Sequence, residues 1–164
     1  MASALLRLRA LGTVLMCSSL YSTTPVGLAD QPRFLNAVVA IATELDPLHL
    51  LQALLCIEKE YGRDRASGIF NGPRTLDLDI LLLGDQLLSE PGLELPHPRL
   101  ADRAFVLVPL NEIAPGLKIP GLEKSVADLL EALQKNCQGE SDAVLQVESD
   151  RWSQSTAKAL GGLP

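Results

Sequence analysis

Gly72-Pro-Arg-Thr-Leu-Asp-Leu-Asp-Ile-Leu-Leu-Leu83 is the stretch around which the rest of the chain is best read. Strand side chains alternate, so over Thr75 to Leu83 the residues Leu76, Leu78 and Ile80 enter a core while Asp77 and Asp79 share the opposite face. Two adjacent carboxylates repel each other unless a cation lies between them. Oxygen donors of this kind suit Mg²⁺, which takes one or two protein carboxylates and completes its octahedron with water and substrate phosphate. Asp-x-Asp alone would also fit the solvated face of an edge strand. Asp is depleted in strands, however, and here two of them interrupt one of the most apolar runs of the chain.

Working outward, Arg63, Arg65 and Arg74 precede the pair, and Arg99 and Arg103 follow it. Five of the fourteen Lys and Arg thus bracket the carboxylates, in a chain whose twenty Asp and Glu give a net charge of −6. Arginine forks match phosphate oxygens two at a time, so carboxylates flanked by arginines describe a polyphosphate site better than a peptide or carbohydrate site. A nucleotide-sugar transferase using Asp-x-Asp is the rival from another class. Neither a P-loop nor a Gly-x-Gly-x-x-Gly turn occurs, which leaves phosphate binding to side chains and metal. His97 lies between two prolines that stiffen the loop that follows, and a lone histidine is as readily structural as catalytic; His49, beside a helix start, is assigned a structural role.

The overall acidity speaks against a binder of nucleic acid or of anionic membrane surfaces. No apolar run approaches the roughly 20 residues needed to cross a bilayer. With 164 residues, 47% of them hydrophobic, the chain fits one globular domain. Its cysteines, Cys17, Cys56 and Cys137, are odd in number, widely spaced and without a zinc-finger partner, which suits a reduced, cytoplasmic protein. Residues 1–20 resemble a secretory or organellar leader in composition, but a cut near residue 20 would enter the pattern that starts at Tyr21, so the cytoplasmic reading is preferred.

Local signals predict the end of a helix over Leu5 to Leu11, a strand over Thr13 to Tyr21 and a loop from Thr23 to Pro32. A buried strand follows over Phe34 to Thr43. Asp46-Pro47 then starts a helix that runs to Tyr61 and is closed by Gly62. Beyond the polar loop 63–74 and the Asp-x-Asp strand come a short strand or hairpin edge over Leu87 to Glu94 and a loop from Pro96 to Ala104. Helices are expected over Ala104 to Ile113 and Val126 to Leu133. From Asn136 onward the composition loses periodicity, and a flexible tail is expected over 136–164. The whole predicts an α+β sandwich, a mixed or antiparallel sheet with helices packed on it.

Four segments in this order carry a family resemblance: Asp30-Gln-Pro-Arg-Phe-Leu-Asn-Ala37, the stretch from Gly72 to Ile80, Leu95-Pro-His-Pro-Arg99 and Arg103-Ala-Phe-Val-Leu-Val-Pro-Leu110. Together they resemble the 6-hydroxymethyl-7,8-dihydropterin pyrophosphokinases of folate biosynthesis over about Tyr21 to Leu130. The resemblance implies a ferredoxin-like α+β fold and an ATP-dependent transfer of diphosphate to the pterin alcohol, with AMP as the other product. A noncatalytic pterin- or nucleotide-binding relative is the alternative within the family.

Carried over by position, Asp77 and Asp79 resemble the ligands of two Mg²⁺ ions. Arg63, Arg74 and Arg103 resemble the phosphate-contacting arginines, with Arg63 and Arg74 counted as catalytic, and His97 resembles the ATP-contacting histidine. Glu58 and Ile80 fall near the adenine pocket. Thr23, Thr24, Val26, Phe34, Asn36 and Phe105 resemble residues around the pterin. Small-molecule substrates are implied, and association with other folate-pathway enzymes is left open. In the family, a first strand ending in Gly-Ser-Asn and a helix come before the counterpart of Thr13 to Tyr21, and this sequence begins inside that helix. The resemblance therefore implies an N-terminally truncated domain over 1–135. Two further departures are Gly92, where many relatives carry arginine, and the loop before Gly72, with Phe70 and Asn71.

Overall fold

The computed structural model describes residues 1–23, 33–62, 76–136 and 144–160. It is α+β with antiparallel pairing throughout, as expected. Helix α1 (Ala2–Leu8) leads into β1 (Thr13–Cys17) and β2 (Leu20–Thr23); β3 (Phe34–Asn36) and β4 (Val39–Ala42) follow. β1 pairs with β4, while β2 lies between β3 and β7 (Leu145–Val147).

The two long strands expected over Thr13 to Tyr21 and Phe34 to Thr43 are therefore each broken in two, and side chains make the break. At the junction, Ser18 N–H still donates to Val38 C=O at 2.9 Å, but the return bond from Val38 N–H goes to the Ser18 hydroxyl, also at 2.9 Å. The Ser18 carbonyl meanwhile accepts the Trp152 indole N–H at 3.1 Å. Nor is the second segment fully buried: Phe34 and Leu35 are exposed, and Val39 and Ile41 are half-buried.

Helix α2 (Pro47–Glu60) starts where Asp46 predicts. Its carboxylate accepts from Leu48 N–H and His49 N–H, both at 3.1 Å, satisfying two donors that the first turn leaves open. Gly62, at φ 85°, follows the helix in the left-handed region that glycine tolerates. The apolar face of α2, with Leu50, Leu54 and Ile57, packs against Leu76, Ile80, Leu93 and Leu95 in the first of three cores.

Residues 76–83 correct the expectation of a strand. Leu76 and Ile80 are buried and Asp77 and Asp79 exposed, as alternation requires, but among the described residues no ladder flanks the segment. Its backbone is tied to a side chain, by Leu78 N–H donating to Glu58, to a loop, by His97 N–H donating to Leu81 C=O, and to the following turn, by Gln86 N–H donating to Leu83 C=O. The hairpin of β5 (Leu88–Glu90) and β6 (Leu93–Leu95) turns at Gly92, with φ 86°.

Helices α3 (Ala104–Ile113) and α4 (Val126–Asn136) build the second core from Val106, Leu107, Leu110, Val126 and Leu129, with Leu100 and Ile119. The flexible tail expected from residue 136 is corrected for the residues described: β7 joins β2, and α5 (Asp150–Leu160) packs on α1 and β1. The anchor of α5 is Trp152, buried with Leu5, Val14 and Leu20 in the third core. Among the described residues, no helix is long and apolar enough to cross a membrane.

Candidate active site

The extended segment 76–83 presents Asp77 and Asp79 on its exposed side, and α2 fixes the peptide between them. Glu58, only 1% exposed, accepts the Leu78 N–H on Oε1 at 2.8 Å. Glu58 thus buttresses the carboxylate pair from behind.

His97 hangs beside the pair because its own N–H ties it to Leu81 C=O at 2.9 Å. Its Nδ1 accepts from Arg99 N–H at 3.1 Å, which leaves the neutral ring with its proton on Nε2. Burial pushes the imidazole below its ordinary value; Asp79 pulls it back up, while Arg103 and Arg99 push it further down. Arg103, at the N-cap of α3, lies over the Phe105 ring at 5.4 Å from its centroid. Burial and Arg99 lower the pKa of its guanidinium, and Asp79 and Asp77 raise it. Asp77, Asp79, His97, Arg99, Arg103 and Phe105 are therefore one neighbourhood drawn from the extended segment 76–83, the loop after β6 and the start of α3.

Next to it, a cleft of about 340 Å³ is floored by Leu51, Leu55, Leu78, Ile80 and Leu93 and edged by Asp79, Glu90, Glu94 and His97. Its lining mixes aliphatic side chains with the charged groups of Asp79, Glu90 and Glu94.

A second group lies on the β2–β3 pair. Tyr21 stands opposite Asn36 and Thr23 opposite Phe34, so these four residues share one face of the sheet. Asn36 Nδ2 donates to Thr23 Oγ1 at 2.9 Å, which fixes the amide's orientation. Thr23 is buried and Phe34 is exposed. Helix α3 packs against both strands, bringing the element that carries Arg103 and Phe105 to this face.

Thr24, Val26, Arg63, Arg65 and Arg74 lie outside the described residues. Tyr21 and Glu112 are residues that sequence reasoning missed. A signal existed for Glu112: a carboxylate in the last turn of a helix opposes the helix dipole and calls for local donors.

The family model for 7,8-dihydro-6-hydroxymethylpterin-pyrophosphokinase (HPPK) matches residues 1–115. The chain belongs to this family. Similar proteins include the 2-amino-4-hydroxy-6-hydroxymethyldihydropteridine pyrophosphokinase of Pseudomonas aeruginosa, 56% identical over 103 residues, which are 63% of this chain and 62% of that protein. The enzyme of that name from Bacillus subtilis is 49% identical over 112 residues, covering 68% of this chain and 66% of the relative. A mitochondrial folate synthesis bifunctional protein of Arabidopsis thaliana is 51% identical over 96 residues, 58% of this chain and 17% of that protein. The chain thus spans somewhat under two thirds of the length of its bacterial relatives. Helices α4 and α5 and strand β7 lie beyond the matched residues of the HPPK chain.

Proposed function

We propose that this HPPK chain transfers diphosphate from ATP to 6-hydroxymethyl-7,8-dihydropterin, giving AMP and the pterin diphosphate, a step of folate biosynthesis, and that residues 1–135 form the unit that does so. The observation that carries the proposal is the meeting of an exposed carboxylate pair with His97 and Arg103 at one side of a face that holds Asn36 and Thr23, within a family whose members bear that enzyme's name.

In this reading the pterin hydroxyl oxygen attacks the β-phosphorus of ATP, the bond from that phosphorus to the oxygen bridging to the α-phosphate breaks, and AMP leaves. Arg103 offers its planar fork to phosphate oxygens, joined by Arg63 and Arg74 from the motif. Neutral His97 donates from Nε2 to a phosphate oxygen. The apolar floor around Ile80 takes the adenine, with Glu58 holding the segment that forms it. Asn36 and Thr23 present hydrogen-bonding groups to the edge of the pterin, Phe34 and Phe105 supply flat surfaces for its ring, and Thr24 and Val26 belong to the flanking loop.

Asp77 and Asp79 suit Mg²⁺. They are exposed oxygen donors, the kind of ligand that Mg²⁺ takes one or two of while water and phosphate complete its shell. When bound, such ions neutralise charge on the transferring phosphates. A cytoplasmic location and association with other folate-pathway enzymes belong to the same proposal, the latter supported by relatives named as bifunctional folate synthesis proteins.

The test is product analysis. Incubated with ATP, Mg²⁺ and the pterin alcohol, the chain should release AMP in step with pterin diphosphate. Release of ADP, or no turnover, would overturn the reading.

A further inference from the structure

The carboxylate of Glu112 gathers donors from a strand more than ninety residues away in sequence. Oε2 accepts from Ser19 N–H at 2.8 Å and from the Tyr21 hydroxyl at 3.0 Å, and Oε1 accepts from the Ser19 hydroxyl at 2.7 Å. Ser19 Oγ in turn accepts from Gln146 Nε2 at 2.9 Å, which draws β7 into the same network. Bonds to a carboxylate are about twice as strong as neutral ones. Glu112 is unfavourably placed for its own helix, being in the last turn of α3, so its return comes from the strand it holds.

What it holds is the pterin-facing part of the proposed site. Tyr21 is buried, pairs across the strands with Asn36 and lies two residues before Thr23, which accepts the Asn36 amide. The same helix has Arg103 at its N-cap and Phe105 in its first turn, about 14 Å and about 10 Å along the axis from Glu112 at 1.5 Å per residue. One rigid element therefore sets the distance between the phosphate-binding and the ring-binding sides.

We infer that Glu112 is a positioning residue, which fixes strand β2 through Ser19 and Tyr21 so that Thr23 and Asn36 stand at a set height beneath α3 to receive the pterin. The ring-binding role of Thr23 and Asn36 rests on the proposed function; the clamp itself does not.

The experiment has two arms, both on the full chain. Amide hydrogen exchange compares wild type with Glu112→Gln, which keeps the side-chain volume but turns an NH₂ toward the donors, and with the milder Tyr21→Phe. Faster exchange at Tyr21 to Thr23 and at Asn36, with the α2 amides unchanged, is expected; unchanged exchange on β2 overturns the clamp whatever the activity. In steady-state kinetics, Glu112→Gln should raise KM for the pterin alcohol about tenfold and Tyr21→Phe about threefold, with KM for ATP within about twofold of wild type. A parallel rise in both KM values, or no rise for the pterin, overturns the positioning role. Absence of turnover in the wild type would sink the proposed function instead, and the exchange arm would still decide the clamp.

Discussion

Glu58 Oε1 lies 2.8 Å from the Leu78 nitrogen, so a carboxyl group on a side chain that is 1% exposed accepts the N–H of the residue between Asp77 and Asp79. A bond that would belong to a neighbouring strand in a regular sheet is here supplied by a side chain from α2. Leu78 also packs into the first core, so its backbone and side chain are held from the same direction.

Glu58→Ala should therefore destabilise the chain and disturb the site together. Leaving a buried donor without its acceptor costs about 1–3 kcal/mol, and Leu78 N–H would lose this one. Glu58→Gln keeps an acceptor oxygen and should lose less than half as much. Urea denaturation gives the stability difference; equal losses in the two variants would show that the bond to Leu78 is not what matters.

Asp77→Asn and Asp79→Asn separate the site from the fold. Both side chains are exposed, so each change should move the urea midpoint little, within about 0.5 kcal/mol for surface positions. AMP release should fall by about 10²–10³ or more, the scale seen when one electrostatic contact to the reacting charge is removed. Adding excess EDTA to the wild type should abolish turnover reversibly. Turnover that persists in either variant, or in EDTA, would contradict the assignment of the pair as metal ligands.

The site was legible in the sequence where its residues are local neighbours. Alternation exposes Asp77 and Asp79 as expected, while His97 and Arg103 came from the family resemblance and lie in the electrostatic neighbourhood of that pair. Helix α3 runs from Ala104 to Ile113 as read from its apolar spacing, and α2 starts at the Asp46-Pro47 signal. What escaped depends on contacts between distant residues. The break at Ser18 needs a hydroxyl taking the Val38 N–H and an indole 134 residues away taking the Ser18 carbonyl. The strand expected over 76–83 has the right alternation, but ladder bonds depend on a neighbour that alternation cannot supply. Around the ring-binding face, Asn36 came from a motif, whereas its bond to Thr23 and the pairing of Tyr21 depend on strand register.

Trp152 is the only tryptophan, so its emission reports on α5 alone. Buried, with its N–H on the Ser18 carbonyl at 3.1 Å, it should emit at short wavelength and shift to the red on unfolding. Trp152→Phe should cost about 1–2 kcal/mol through the orphaned carbonyl, and Trp152→Ala about 3–5 kcal/mol through the cavity as well. An emission maximum at the solvent-exposed position in the native protein would contradict the docking of α5.

Tyr21 provides a titration of the clamp. Burial raises its pKa above the ordinary value of 10.0, and the hydrogen bond to Glu112 and that carboxylate's charge raise it further. Because the folded-state value exceeds the unfolded one, this group's contribution to stability is complete below pH 10 and declines as pH rises through the folded value. Glu112→Gln removes the carboxylate's charge, weakens the hydrogen bond by leaving a neutral acceptor, and leaves burial unchanged. In a Tyr61→Phe background, where Tyr21 is the remaining tyrosine, ultraviolet absorbance should show phenolate appearing at lower pH in Glu112→Gln than in its parent, yet still above pH 10. Coincident titration curves would mean that Glu112 does not hold the phenol, and a curve falling to the ordinary value would mean that burial contributes nothing.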